Sequence, residues 1–303
     1  KRDRSPSRGL GDVYKRQMRV YEDRVRRSMN TADQNGNFAL WQGGMEPNIP
    51  VGSEEGVAAS MARAVQGAER EQREGANGKW VAHWKMVNIV RPVWEKTGEL
   101  NQMGREFPPL TYTDQDAADL FLLEPAPRTI RGARNLLSVG IQYGNALGQG
   151  MQAAALKPAD FFGNEDILYL MEDAATGEIR LSILWEWVHK GARLTEDDLE
   201  SGVRVGDVFT SELFQRLYSE EMEKLRNAGN RDVHDESKAT SLPIAGEIVD
   251  SYVRSSIKAP WYIDLLNLNI DNFDLETGRQ RIKMYLDAFS ADGTRITENL
   301  DFA

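Results

Sequence analysis

The feature that most constrains this chain is an alternation between residues 38 and 97. A short apolar run, Phe38 to Trp41, leads into Gly43-Gly44-Met45. Ser53 then opens a helical stretch with Glu54 and Glu55 in its first turn, and Val57, Met61 and Val65 recur on one face. Gly75 and Gly78 mark its exit, and a second apolar run follows, Trp80-Val81-Ala82-His83-Trp84. Residues 88–97 again show helical spacing. Two successive strand–loop–helix units are what parallel sheets are assembled from, since parallel strands need a crossover rather than a tight turn. The expected class is α/β.

Beyond about residue 100 the alternation stops. Residues 105–130 are rich in proline and acid and read as a connection. Helical spacing then returns over 131–147, 177–190, 210–227, 244–257 and 276–290, with a polar, loop-like stretch at 228–242. Upstream, Met18, Tyr21, Val25 and Met29 predict a helix from Met18 to Asn30. The expected domains are 18–115, with the strand–helix units, and 116–303, mainly helical. Residues 1–17 carry six Lys or Arg and two Asp with few apolar residues. That string resembles translated sequencing-linker read-through or a disordered basic arm, so it is left out of fold reasoning.

Composition narrows the function. A net charge of −10 argues against nucleic acid or an anionic membrane as the main partner. With no cysteine there is no thiol nucleophile, disulfide or zinc-thiolate site, which fits a reducing, cytoplasmic setting. No run approaches the ~20 apolar residues that a membrane span needs.

The most informative block is Tyr169-Leu170-Met171-Glu172-Asp173-Ala174-Ala175-Thr176, which continues GEIRLSILWEWVHKGA. An acidic pair stands just before an amphipathic helix, where unsatisfied N–H groups and the helix dipole favour a charged carboxylate. Such a carboxylate can act as a general base, or Asp173 or Thr176 can simply cap the helix. Spacing alone leaves both readings open.

This block resembles the malate synthases. In that family a Met-Glu-Asp-(Ala/Arg)-Ala-Thr segment carries the catalytic Asp and runs into a helix containing Trp-x-Trp-(Ile/Val)-His. Met171, Glu172, Asp173, Ala174, Ala175, Thr176, Glu178, Ile179, Trp185, Trp187 and His189 fall on that pattern. Gly43-Gly44-Met45 with Pro50 and Gly78-x-Trp80-Val81-Ala82-His83 are similar to the family's last two barrel strands, and Asn101-Gln102 to the Asn-Gln-Leu after the helix that follows. Gly132, Arg134, Val139, Gln142 and Tyr143 follow its next helix, and Thr210 to Met222 is also familial in character. The chain departs at Glu46-Pro47-Asn48, where the family has small or apolar residues, and at Trp84, where it has proline.

The resemblance implies a fragment of a TIM (β/α)8 barrel followed by a helical plug. It implies acetyl-CoA and glyoxylate as substrates and Mg²⁺ as cofactor. Asp173 would take a proton from the acetyl methyl, and the enolate would attack glyoxylate polarised by the metal, with thioester hydrolysis to malate. The base alone cannot suffice, because a thioester α-proton is a very weak acid and the enolate needs cationic stabilisation. The Mg²⁺ ligands and the stabilising Arg are expected upstream, so no metal ligand is assigned here. Met45, Trp80 and His83 would lie at strand ends on the substrate side, with Glu172 beside the base. Trp80 is equally compatible with core packing. His189 reads as structural, and His234, within Asp232 to Glu236, as part of a solvated loop. Two other functions fit the same residues, a malyl-CoA-type acyl-CoA lyase and a non-catalytic relative.

Overall fold

The computed structural model describes residues 12–50, 54–107, 113–119, 126–151, 153–156, 170–227, 241–259, 262–267, 274–290 and 294–296. The chain divides into two compact units, Lys1–Ala126 and Pro127–Ala303.

In the first unit, α1 (Asp12–Met29) is followed by β1 (Gln42–Glu46), α2 (Glu54–Arg73) and β2 (Gly78–Val81). A 3₁₀ turn, Trp84–Met86, leads directly into α3 (Val87–Glu95), and α4 (Asp114–Asp119) is a short helix. Strands β1 and β2 pair in parallel, with Gln42 opposite Gly78 and Glu46 opposite Val81. One extra residue of β1 is accommodated between Gly43 and Glu46, a bulge at the end of the strand. Ala64 and Ala68 of α2 meet Met86, Val90 and Val93, forming a small apolar core.

Two expectations need correcting here. The first strand lies at Gln42–Glu46 rather than Phe38–Trp41, which is largely exposed, with the Trp41 carbonyl accepting from the Asn77 amide at 2.7 Å. Within this strand Gly43 lets another element approach. A Cβ on Gly43 would stand 2.1 Å from Glu71 Oε2. Glu71 is held there by Lys79 of β2, whose Nζ donates to both carboxylate oxygens at 2.9 Å. The helix of 18–30 begins at Asp12, so it takes in part of the string set aside from fold reasoning.

The second unit contains α5 (Ile130–Gly148), β3 (Ala154–Leu156), β4 (Leu170–Glu172), α6 (Ala174–His189), α7 (Ser211–Asn227), α8 (Leu242–Arg254), α9 (Tyr262–Asn267) and α10 (Leu275–Asp287). Strands β3 and β4 form an antiparallel pair, with Ala155 opposite Met171. The main core draws on every helix from α5 to α10, with Leu137, Ile141, Leu181, Leu184, Phe214, Leu217, Ile248 and Tyr252 fully enclosed. Helix α5 is buried on nearly all sides. Gly140 on it allows close approach of α6, since a Cβ there would be 2.9 Å from Leu181 Cδ2. Arg134 of α5 bridges Glu220 and Glu221 of α7, the latter at 2.9 Å.

The described residues are thus mainly helical, with little sheet: two separate two-stranded pairs. The strand–helix units expected before residue 100 and the mainly helical region expected after it are both present, and the helical half holds most of the core. None of the helices is long and apolar enough to cross a membrane among the described residues.

Candidate active site

Asp173 sits where β4 ends and α6 begins. Its backbone is extended (φ −125°, ψ 179°), and it occupies the N-cap of the helix. Oδ1 accepts two hydrogen bonds, from the Thr176 amide and from Thr176 Oγ1, each at 2.9 Å. The Gly177 amide donates to the Asp173 carbonyl at 3.0 Å, closing the first turn. The cap reading is therefore correct, and Thr176 completes it. It occupies one oxygen. Among the described residues nothing hydrogen-bonds to Oδ2 of this half-buried carboxylate. Capping and proton acceptance use different atoms and are compatible.

Tyr143 of α5 is the neighbour the sequence placed in a familial helix but not beside this carboxylate. It is 1% exposed. Its phenol is held above the ordinary tyrosine range, first by burial and then by the negative charge of Asp173. The ring therefore stays neutral while Asp173 is charged.

Along α6, the Trp-x-Trp-x-His segment proves to be a clamp. Trp185 Nε1 donates to the Ser255 carbonyl at 2.9 Å. His189 Nε2 lies 3.0 Å from the Val253 carbonyl, and because a carbonyl only accepts, Nε2 carries the proton. Both acceptors stand at the C-terminal end of α8, where carbonyls lack helical partners. The two rings stack at 4.4 Å, and Trp187 meets Phe209 edge-on at 5.4 Å. His189 is structural, as its sequence position indicated. Nearer Asp173, Glu178 Oε1 accepts from Tyr252 Oη at 2.6 Å and from Ser182 Oγ at 3.1 Å. Tyr252 carried no signal in the sequence, since it is separated from Glu178 by 74 positions.

The other predicted site residues lie in the first unit. Met45 is half-buried in β1, and Trp80 of β2 is 59% exposed, so its ring is not core among the described residues. His83 follows β2, and its Nδ1 accepts from the Lys85 amide at 3.2 Å, capping the 3₁₀ turn. Trp84 stacks on His83 and is also exposed. Glu46 is 7% exposed and folds onto Asn48, whose amide N–H (3.3 Å) and side-chain N–H both donate to Oε1. This local loop accounts for the acidic residue where small or apolar ones were expected. Gln102, buried, donates from Nε2 to the carbonyls of Gln72 (2.8 Å) and Ala76 (2.7 Å), closing the end of α2. The backbone of Glu172 is in β4, but its side chain lies outside the described residues, as do His234 and residues 1–11.

No three His, Asp or Glu side chains gather to hold a metal among the described residues. The Mg²⁺ implied by the motif thus finds no donor set there, and no ligand is assigned.

Residues 128–265 match the family of malate synthase C-terminal domains. Over 232 residues the chain is 32% identical to a malate synthase of Arabidopsis thaliana, covering 75% of this chain and 37% of the relative. A glyoxysomal malate synthase of Brassica napus is 32% identical over 233 residues, with the same coverage of 75% and 37%. One of Myxococcus xanthus is 31% identical over 192 residues, covering 63% of this chain and 31% of the relative. The chain thus spans little more than a third of the length of these relatives. The match places the Asp173 cap and the α6 clamp within a malate synthase C-terminal domain, residues 128–265, and over three quarters of its length the chain is similar to malate synthases.

Proposed function

We propose that this chain carries the catalytic base of a malate synthase, with Asp173 taking the proton from the methyl group of acetyl-CoA so that the resulting enolate can add to glyoxylate. One observation carries the reading: Asp173 spends only Oδ1 on the helix cap, and Oδ2 has no hydrogen-bond partner among the described residues. A general base needs an open oxygen on a rigid support, and the cap supplies the rigidity. Buried Tyr143 keeps its phenol neutral within the field of the Asp173 carboxylate.

The parallel pair β1 and β2, joined through α2, is read as two neighbouring strands of a TIM barrel. Met45, Trp80 and His83 are assigned to the substrate pocket at their C-terminal ends, and Glu172 is assigned to substrate binding next to the base. The exposure of Trp80 supports a surface that meets a ligand or further strands. Mg²⁺ would stabilise the enolate oxygen and polarise the aldehyde when bound, from residues other than those described here. What this chain contributes is the proton acceptor and its support.

The test is Asp173→Asn in protein expressed from the complete reading frame. The amide keeps the capping oxygen and the shape but cannot accept the proton. Glyoxylate-dependent release of CoA should fall by about 10²–10⁴-fold, with acetyl-CoA binding by calorimetry unchanged. Near-normal turnover would leave Asp173 as a cap and nothing more.

A further inference from the structure

Helix α6 presents Glu178, Ser182, Trp185 and His189 at intervals of four, three and four residues, which is one stripe along the helix. The stripe faces α8. Glu178 and Ser182 meet Tyr252, Trp185 meets the Ser255 carbonyl, and His189 meets the Val253 carbonyl. The contacts of α6 with α5 are mainly apolar, as at Leu181 against Gly140, with one hydrogen bond from Arg180 Nη1 to Asn135 Oδ1 at 3.0 Å. Apolar packing is non-directional and tolerates a small rotation about the helix axis, whereas hydrogen bonds weaken steeply with angle. The polar stripe therefore fixes the rotation of α6. Asp173 is the N-cap of that same helix, and Glu178 lies in its second turn.

We infer that Glu178 and Tyr252 are positioning residues for Asp173: their hydrogen bond locks the rotation of α6 and so aims Asp173 Oδ2. The inference rests on the reading of Asp173 as a base. Tyr252 is fully buried, and burial together with the Glu178 carboxylate keeps its hydroxyl protonated far above the ordinary range. It is thus a permanent donor. Ser182 Oγ lies 3.1 Å from Glu178 Oε1 and 3.2 Å from Tyr252 Oη, so its single hydroxyl hydrogen can be given to either and braces the pair from the side. At a reacting centre, a small misplacement of the base suffices to cost rate while leaving substrate binding intact.

Three variants test this, with two readouts. In Tyr252→Phe, which removes one hydroxyl and keeps the ring, kcat should fall about tenfold with KM for acetyl-CoA unchanged. Amide hydrogen exchange at Thr176 and Gly177 should quicken about tenfold while the amides of α5 and α7 keep their rates. Glu178→Leu should do the same, and Glu178→Gln, whose carbonyl oxygen still accepts from Tyr252, should restore both readouts. Three results overturn the inference: exchange quickening evenly across α5 to α8, a lowered Tm with unchanged kcat, or failure of Glu178→Gln to restore. The exchange measurement needs no substrate. If the unaltered protein shows no glyoxylate-dependent CoA release, the malate synthase reading falls, and exchange at Thr176 still decides whether the lock exists.

Discussion

Replacing Asp173 by alanine rather than asparagine separates the two uses of its carboxylate. Alanine loses both bonds from Thr176, so the second unit should lose about 1 kcal/mol of stability, whereas asparagine should lose much less. Equal denaturation midpoints for the two variants would show that the cap contributes little. At Glu22 the expected result runs against the visible ion pair. Glu22 is buried on α1, 3.3 Å from Arg70. Its carboxyl is nevertheless held above its ordinary 4.5, chiefly by burial, with Glu74 and Glu71 adding to it and Arg70 opposing. The folded state thus favours the protonated form, and this contribution to stability is fully present below pH 4.5 and lost as pH rises through the folded value. Glu22→Gln should therefore raise the Tm of the first unit by about a degree or two at neutral pH, and the gain should vanish in acid. A lower Tm at pH 7 would mean that Arg70 outweighs burial.

Helices were legible and strands only in part: the run Trp80 to Trp84 marked β2, which begins two residues earlier at Gly78. The spacing in residues 131–147, 210–227 and 276–290 located α5, α7 and α10 to within a few residues, because α7 and α10 each bury one face and α5, buried on nearly all sides, still repeats its large apolar residues at helical intervals. β1 was displaced because Phe38 to Trp41 carries the apolar signal, while Gly43 and Gly44 have low strand propensity and Gly43 owes its place to the Glu71–Lys79 pair packed against it. β3 was missed entirely, since three residues of Ala-Ala-Leu show no alternation. In the site, Asp173 and its cap were local and readable. The pairing of Glu178 with Tyr252, and the approach of Tyr143, depend on tertiary packing that no local pattern reports. The β1 account has its own test. Gly43→Ala should displace the Glu71 carboxylate and destabilise the first unit by about 1–3 kcal/mol in chemical denaturation. An unchanged midpoint would show that Glu71 can swing away freely.

The two units differ in how much core each one holds. Residues 127–303 have a core spanning six helices, while the first unit has a few alanines, valines and a methionine between α2 and α3. Residues 127–303 expressed alone should show one cooperative thermal transition, whereas 1–126 alone should aggregate or melt broadly. The apolar run Phe38–Trp41 is where the sequence suggests the first strand. The structure moves the strand edge to Gln42–Glu46, which has one partner, β2, among the described residues. Phe38, Leu40, Trp80 and Trp84 are all exposed in the same unit. A broad transition for 127–303 would contradict the assignment of most of the stability to the helical unit.

The division of labour within one carboxylate has a consequence for how such a protein can decay. A side chain that caps a helix but cannot receive a proton satisfies every structural demand made at position 173. Selection for folding is blind to that exchange, and so is any comparison of shape, abundance or heat resistance. A relative that has lost its chemistry this way would pass as an intact enzyme until its turnover was measured.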